Sequence, residues 1–220
     1  YFYYSKLYKV IILGSSLQNN FDFSDKINKK VIIVENGLTE NIVKNDFKIN
    51  MGSRINILYL SNLIQSKGYL DLLAALKILE NDTLDFSCIF AGSIFLSPDD
   101  PIKMNENEIK FFLDSSINKL KNKDNVKFVG PVYNKEKIKL LKEADVFVLP
   151  TYYMNEGQPI SIIEAMAYKN VIISTPYRSI IDLVSNGKEG ILLSTGISYF
   201  IVLFYTDFRR GSCFWLPRPY

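Results

Sequence analysis

Histidine is absent from this 220-residue sequence, which excludes a catalytic triad, a general base or a metal site built on that residue. Cysteine is scarce. Cys88 and Cys213 cannot form a disulfide framework, and Cys88 lies in an apolar run, which predicts a reduced core thiol in a cytosolic protein. Long apolar runs are missing too. The longest one near either end of the chain, from Ile197 to Tyr205, is far shorter than the roughly 18 residues that a membrane span requires. The net charge of +3 is too small to indicate nucleic acid or an anionic membrane as a partner.

Short β-branched runs alternate with amphipathic segments along the sequence. With 48% hydrophobic residues, a chain of this length can bury the core of one domain or slightly more. Several runs are apolar on both faces, which is typical of strands covered by helices on both sides. The runs predict strands at Val10–Leu13, Val31–Val34, Ile55–Leu60, Phe86–Ala91, Val126–Val129, Val146–Leu149, Val171–Ser174 and Gly190–Leu193.

Helical periodicity separates the later strands. Apolar residues recur at helical spacing in three segments: Leu70, Leu73, Leu76 and Ile78; Ile109, Phe112, Ile117 and Leu120; Ile138, Leu141 and Ala144. This alternation predicts an α/β fold with a doubly wound parallel sheet, whose ligand binds at the carboxyl ends of the strands. The residues expected there are Ser61, Gly92, Pro150 and Thr175. Neither a Gly-x-Gly-x-x-Gly nor a Walker pattern occurs, which disfavours dinucleotide dehydrogenases and P-loop enzymes.

The most informative segment contains two glutamates eight positions apart, Glu156 and Glu164. From Ile160 to Ala167 the apolar residues occupy the whole helix circumference, which is the pattern of a buried helix, and Glu164 is its only charge. A buried carboxylate must be paired, hydrogen-bonded or open to a cleft, because an unsatisfied one costs several kcal/mol. A ligand with hydroxyl groups would satisfy it.

The turn before this helix provides further ligand groups. Gly157 permits close approach of backbone or ligand, and Pro159 suits the first helical position, so the free N–H groups of the first turn form an anion site. Together with the two glutamates, this turn predicts a site for a nucleotide diphosphate that carries a sugar. A second interpretation stays open, in which Glu164 pairs with a buried lysine or arginine and Glu156 is a solvated loop residue.

Two segments interrupt the alternation of strands and helices. Residues 39–54 are polar and aperiodic, which predicts a linker between residues 1–38 and a main domain at residues 55–195. The tail at residues 196–220 provides no helix to cover the last strand, and its simplest interpretation is a sequence artefact or a truncation scar and not a site. Because the chain begins at Tyr1 and not at Met, we expect it to be a fragment.

Five motifs follow one another in the sequence: Leu60-Ser-Asn-Leu-Ile-Gln-Ser-Lys-Gly68, Phe128-Val-Gly-Pro131, Ala144-Asp-Val-Phe-Val-Leu-Pro-Thr151, Glu156-Gly with Glu164-Ala-Met-Ala167, and Val171-Ile-Ile-Ser-Thr-Pro176. In this order and spacing they resemble the C-terminal nucleotide-sugar domain of the retaining family 4 glycosyltransferases. The resemblance implies the GT-B architecture, in which two Rossmann-like domains face each other across a cleft and the C-terminal one holds the donor. Val34-Glu-Asn-Gly37 resembles the end of the N-terminal acceptor domain, so residues 1–38 are expected to be its remnant.

The resemblance implies a role for each matching residue. Glu156 would contact the hydroxyls of the donor sugar and support the oxocarbenium charge, and Glu164 would accept hydrogen bonds from the ribose hydroxyls. Lys67 matches the lysine that binds the diphosphate and stabilises the departing nucleotide, whereas alone it would be interpreted as a surface lysine at a helix start. Glu156 and Lys67 are therefore the predicted catalytic residues.

The sequence departs from the family pattern around the phosphates. The usual arginine partner of Lys67 falls at Asn62, which removes one charge from the phosphate clamp. The family commonly has a Phe-Gly pair in the phosphate-facing turn, and this sequence departs from it there. Only the roles of the backbone groups in this turn therefore carry over from the family. The predicted donor site comprises Asn62, Lys67, Glu156, Gly157, Gln158, Pro159, Ile160 and Glu164.

The implied reaction is transfer of a sugar, with retention, from a nucleotide-diphosphate sugar to a sugar or lipid-linked acceptor in polysaccharide or glycoconjugate synthesis. No metal site is visible in the sequence, in keeping with stabilisation of the leaving group by Lys67 and the helix N-terminus, and no cofactor is expected beside the donor substrate. We expect a cytoplasmic protein whose full-length form works at the cytoplasmic face of the membrane, although this chain itself does not indicate membrane association. Two alternatives stay open: a GT-B nucleotide-sugar epimerase, and a fragment that is inactive or only binds nucleotide. Without an acceptor domain, the fragment is expected to bind nucleotide weakly and not to transfer sugar.

Overall fold

The computed structural model describes residues 7–20, 28–38, 54–81, 85–98 and 100–193. Within them lie the strands β1 (Val10–Ile12), β2 (Val31–Ile33), β3 (Ile55–Leu60), β4 (Phe86–Ala91), β5 (Val126–Gly130), β6 (Val146–Leu149), β7 (Val171–Ser174) and β8 (Gly190–Leu192). The α-helices there are α1 (Tyr69–Leu79), α2 (Glu106–Asn118), α3 (Asn134–Glu143), α4 (Ile160–Ala167) and α5 (Ile180–Leu183). Each of the predicted strands is present, with ends within one residue of the predicted bounds.

Six strands form one parallel sheet in the order β5-β4-β3-β6-β7-β8, and β1 pairs with β2 in a separate parallel pair. The chain runs outward from β3 to β5, crosses back to β6 and runs outward again to β8. This is the doubly wound, Rossmann-like topology, so the predicted α/β fold is confirmed. The strand order reverses between β3 and β6, where the register aligns Ile57 with Val146. The ligand crevice of such a sheet opens at the carboxyl ends of these two strands.

Burial explains why the central strands are continuous apolar runs. The whole of β6 and the last four residues of β3 are buried, because helices of the crossovers cover both faces of the sheet. Strand β4 contributes Cys88, which is free and fully buried, and its burial raises the pKa of the thiol. The prediction of a reduced core thiol is confirmed there, whereas Cys213 lies outside the described residues.

Helix α2 buries a narrower stripe than the sequence predicts. Ile109 and Leu113 are buried one turn apart, but Phe112 is 42% exposed. Successive residues are about 100° apart around a helix, so Phe112 and Leu113 cannot both face the sheet. The expectation that Phe112 faces the core is therefore wrong, and Leu120 is buried but lies beyond the end of the helix.

Two glycines allow the loops at the carboxyl edge to approach one another closely. Gly68 has a φ of +80°, and a Cβ atom there would collide with the carbonyl oxygen of Pro150, which follows β6. Gly92, which follows β4, has a φ of +152°, and a Cβ atom there would collide with the carbonyl oxygen of Ser61. The loops after β3, β4 and β6 are thus packed backbone against backbone where the crevice opens.

The unit formed by β1 and β2 packs against the sheet domain through Asp182. Ser15 Oγ donates to Asp182 Oδ1 at 2.8 Å, and the hydroxyl and N–H of Ser16 donate to Asp182 Oδ2 at 2.6 and 3.1 Å. Three hydrogen bonds to one carboxylate therefore join the segment after β1 to helix α5.

Some predicted segments fall beyond the part of the chain that the structure describes. Of the predicted linker only Arg54 is described, where its guanidinium contacts the Asp85 carboxylate at 2.9 Å. The predicted tail at residues 196–220 lies entirely outside the described residues. The described helices include none with the length and apolar character needed to cross a membrane.

Candidate functional site

Lys67 and Glu156 meet at the point where the strand order reverses. Lys67 ends a short 3-10 turn after β3, and Glu156 lies in the loop after β6. The ammonium of Lys67 is 3.4 Å from Glu156 Oε2, and the two side chains are only 17% and 7% exposed. Neither the surface-lysine interpretation of Lys67 nor the solvated-loop interpretation of Glu156 is therefore correct.

Two neighbours that sequence analysis missed hold this pair in place. The fully buried Thr151 donates its hydroxyl to Glu156 Oε2 at 3.0 Å and accepts the backbone N–H of Tyr153 at 3.2 Å. The ring centroid of Tyr153 lies 5.3 Å from the Lys67 ammonium, within range of a cation–π contact. No described residue donates a hydrogen bond to the other glutamate oxygen, Oε1. In the sequence, Thr151 ends the motif that begins at Ala144 and lies two residues beyond the end of β6, but neither fact indicates its hydrogen bond to Glu156.

The two loops are also tied together through their backbones. The N–H of Tyr152 donates to the carbonyl of Ser66 at 2.7 Å, next to the residue that supplies the ammonium. Gly68 makes this approach possible, because it has no side chain to strike Pro150. The geometry of the lysine–glutamate pair therefore depends on close packing of two loops that are distant in sequence.

The turn at residues 157–160 leads directly into α4. Pro159 is the N-cap and not the first helical residue as predicted, because the helix begins at Ile160. The backbone N–H groups of Ile160 and Ser161 have no hydrogen-bond acceptor among the described residues. Ile160 is 50% exposed, so the first turn of α4 is open and not buried all round as the apolar pattern predicts. Such a helix start can bind an anion.

Gln158 connects this turn to the strand pair at the beginning of the chain. Its Oε1 accepts the backbone N–H of Asn36 at 2.5 Å, and the Asn36 side-chain amide donates to the Gln158 carbonyl at 2.9 Å. Nearby, the Ser179 hydroxyl donates to the Gly157 carbonyl, and a Cβ at Gly157 would lie 3.2 Å from Leu13 Cδ1. The turn thus contacts the segments that follow β1 and β2 on one side and Ser179 on another.

Glu164 lies one turn further along α4 and already has a cationic partner. The Lys137 ammonium, from the first turns of α3, is 2.5 Å from Glu164 Oε1. The glutamate side chain is 10% exposed and the lysine 31%. The paired interpretation left open by the sequence is realised here, with a partly exposed lysine. No described residue donates to Glu164 Oε2, so one oxygen of this carboxylate stays available.

Asn62 is the predicted donor-site residue that the structure does not bring into these contacts. It is exposed at the carboxyl end of β3, and its carbonyl accepts the Tyr59 hydroxyl at 3.2 Å. Burial and the nearby negative charge of Glu156 raise the pKa of Tyr59, so this hydroxyl keeps its proton. The backbone of Asn62 is anchored by this bond, and its side chain makes no hydrogen bond to Lys67 or Glu156.

The described residues contain no group of three or more cysteine, aspartate or glutamate side chains arranged to hold a metal ion. What they do provide is an ammonium, two carboxylates with one unoccupied oxygen each, and an open helix N-terminus, all along one edge of the sheet.

A comparison with protein families identifies the family of this chain. Residues 41–198, most of the chain, match the family described as glycosyl transferases group 1. The chain belongs to this family. The expected resemblance to glycosyltransferases of the GT-B type is thereby confirmed, and the described sheet has the expected Rossmann-like topology.

Solved structures of other glycosyltransferases share the fold of this group 1 member. Anabaena HepE, solved in complex with UDP and glucose, superposes with a TM-score of 0.73 at 18% identity over 93% of this chain and 55% of its own. A glycosyltransferase from Rickettsia africae gives a TM-score of 0.71 at 18% identity over 94% of this chain and 56% of its own. The chain therefore spans about half the length of these proteins.

One curated relative matches a shorter stretch. It is N,N'-diacetylbacillosaminyl-diphospho-undecaprenol alpha-1,3-N-acetylgalactosaminyltransferase from Campylobacter jejuni, 34% identical over 58 residues. The match covers 26% of this chain and 15% of the relative.

Proposed function

We propose that this chain is the donor-binding part of a retaining, family 4-like glycosyltransferase that uses a nucleotide-diphosphate sugar. The observation that carries the proposal is the Lys67–Glu156 pair at the switch point of the sheet, beside the open start of α4. A crevice at a switch point is where doubly wound sheets bind nucleotides. The complexes of HepE with UDP and with UDP-glucose are in keeping with such a donor.

The cationic side of the site binds the diphosphate. Lys67 exchanges its 3.4 Å contact with Glu156 for a phosphate oxygen when the donor enters. The free N–H groups of Ile160 and Ser161 provide further donors, assisted by the helix dipole. These groups stabilise the negative charge that grows on the leaving nucleotide as the glycosidic bond breaks.

The carboxylates hold the two sugars of the donor. Glu156 contacts hydroxyls of the transferred sugar through Oε1 and places negative charge near the developing oxocarbenium ion. Thr151 and the surrounding loop packing keep that carboxylate oriented before the substrate arrives. Glu164, one helical turn deeper, accepts hydrogen bonds from the ribose hydroxyls through Oε2.

The acceptor is proposed to be a sugar or a lipid-linked sugar in polysaccharide or glycoconjugate synthesis, at the cytoplasmic face of a membrane. The name of the Campylobacter relative, which specifies a diphospho-undecaprenol acceptor, is in keeping with this class.

A calorimetric screen of the 220-residue chain tests the donor proposal. UDP, GDP and ADP are titrated together with their glucose, galactose and N-acetylhexosamine conjugates. We expect the diphosphate of one base to bind measurably more tightly than those of the other two. The uncharged nucleoside of that base, titrated in the same way, should bind much more weakly than its diphosphate. Absence of binding for every nucleoside diphosphate would contradict the proposal.

A further inference from the structure

Lys137 lies at the ligand edge of the sheet, although no sequence motif singles it out. It is in the first turns of α3, which follows the carboxyl end of β5, and α3 and α4 occupy neighbouring crossovers. Its ammonium crosses from α3 to α4 and meets Glu164 Oε1 at 2.5 Å. The contact joins two helices at the level where the nucleoside is proposed to bind.

The contact divides the two oxygens of Glu164 between two tasks. A carboxylate that is only 10% exposed requires compensation, because a buried charge without a partner is strongly unfavourable. The ammonium supplies that compensation at Oε1 and restricts the rotation of the carboxylate. Oε2, which has no donor among the described residues, is left as the acceptor for a ligand hydroxyl.

We propose that Lys137 is a positioning residue for recognition of the ribose, which acts through Glu164 and not through direct contact with the ligand. The inference rests on the proposed function, because it assigns the ribose hydroxyls to Glu164. Lys137 keeps the carboxylate directed so that it distinguishes a ribose from a sugar without hydroxyls. It therefore sets a preference for ribonucleotides.

The distinguishing measurement is the ratio of affinities for UDP and 2′,3′-dideoxy-UDP, determined by calorimetry. GDP and ADP are run in parallel with their dideoxy forms, so that the best-binding base is always included. We expect wild type to prefer the ribonucleotide by about tenfold or more, the scale of a hydrogen bond to a charged group. Lys137→Met should reduce the preference to below about threefold, and Lys137→Arg should retain it.

A double variant separates an indirect from a direct role. The single variant Glu164→Gln should lose the preference for the ribonucleotide. In that background, Lys137→Met should change neither the affinity for the ribonucleotide nor the affinity for its dideoxy form. Lys139→Met is the matched control, because Lys139 is on the same helix and is 70% exposed. Its pairing with Glu143, at 3.9 Å, is a surface contact. This control should leave both affinities unchanged.

Several outcomes would overturn the inference. An unchanged preference in Lys137→Met, with only a lower melting temperature, would make the lysine purely structural. A further loss of affinity in the Glu164→Gln background would show direct contact with the ligand. Tight binding of UDP by wild type without any preference would remove the ribose role of Glu164 while leaving a nucleotide site. No binding of any nucleotide would refute the proposed function, and the inference with it.

Discussion

Two lysine–glutamate pairs lie along the same edge of the sheet, but they are built differently. Lys67 and Glu156 come from two loops and are 3.4 Å apart, with Thr151 supporting the glutamate. Lys137 and Glu164 come from two helices and are 2.5 Å apart. We expect this difference in construction to give the two pairs different roles. A longer contact between loops can exchange its partner for a ligand, whereas a short contact between helices keeps its members fixed.

The substitution with the largest expected effect disturbs the Lys67–Glu156 pair by changing the backbone that holds its two loops together. Gly68→Ala places a methyl group against the Pro150 carbonyl in a left-handed conformation, so we expect the free energy of unfolding to fall by about 2–4 kcal/mol. Binding of the best-binding nucleoside diphosphate, taken here and below as UDP, should weaken together with stability, because the loops carrying Lys67 and Glu156 are forced apart. Chemical denaturation and calorimetry measure the two effects.

Gly130→Ala is the control for this substitution. Gly130 also has a left-handed φ, of +74°, but nothing lies within 4 Å of a Cβ there. Gly130→Ala should lower the free energy of unfolding only by the conformational strain, about 1 kcal/mol. Equal losses at the two glycines would show that packing against Pro150 contributes little.

The next effect tests whether Lys67 changes partners. Lys67→Ala should weaken the binding of UDP by about 1.5–3 kcal/mol and the binding of uridine hardly at all. Only the diphosphate carries negative charge that the ammonium can contact. Lys110→Ala, which removes an exposed lysine paired with Glu106, should affect neither ligand. If uridine loses as much affinity as UDP, the lysine maintains the fold and does not bind phosphate.

A smaller effect distinguishes the two glutamates. Glu156→Gln should reduce the advantage of a nucleotide sugar over its free nucleotide by about 1 kcal/mol, because the amide is a weaker acceptor for the sugar hydroxyls. Free UDP should bind as well as before, since Lys67 has lost a competing partner. Glu164→Gln should instead weaken UDP and UDP-glucose equally. The reverse assignment would follow if the two variants exchange these patterns in calorimetry.

The smallest effect concerns a third carboxylate, which is held by hydroxyls and not by a lysine. Partial burial alone would raise the pKa of Asp182, but hydrogen bonds from Ser16 and Ser15 outweigh it and lower this pKa below its ordinary value. A lowered folded-state pKa stabilises the fold above the unfolded pKa, near 3.9, and the contribution is lost as the pH falls through the folded value. The melting temperature of wild type should therefore exceed that of Asp182→Asn at pH 6, and the difference should shrink below about pH 4.

Asp114→Asn serves as the control for Asp182, because Asp114 is exposed on α2. It should leave the melting temperature unchanged across the same pH range. A difference between wild type and Asp182→Asn that is constant with pH would mean that the shape of the side chain matters and its charge does not.

The fold could be predicted well from sequence because its strands are short apolar runs with few competing interpretations. Strand β6, Val-Phe-Val-Leu, is buried at every position, and such a run between helical segments fits few structures other than a parallel sheet. Helix α2 was harder, because the sequence contains three apolar residues at positions 111–113 and only the topology decides which one faces the sheet.

The site could be predicted only in part. Glu156 and Lys67 belong to recognisable motifs, and the structure brings them together. The partner of Glu164 could not be found, because Lys137 is on another helix and reaches it only through the order of the crossovers on one face of the sheet. Thr151 ends a recognisable motif, but its hydrogen bond to Glu156 could not be predicted, since a buried hydroxyl has no periodic signature in sequence.

The crossing from β5 back to β6 also sets the order in which the site can form during folding. Strand β6 pairs with β3, and the hydrogen bond from Asn56 to Asp145 beside that pairing closes a separation of 89 residues. We expect this contact to form after the pairing of β3 with β4 and of β4 with β5, because it requires a larger loss of chain entropy than those more local pairings. An intermediate with only β3, β4 and β5 assembled would contain Lys67 without Glu156. A nucleotide that binds both loops would then recognise only the completed sheet, and it would shift the folding equilibrium toward that state by mass action.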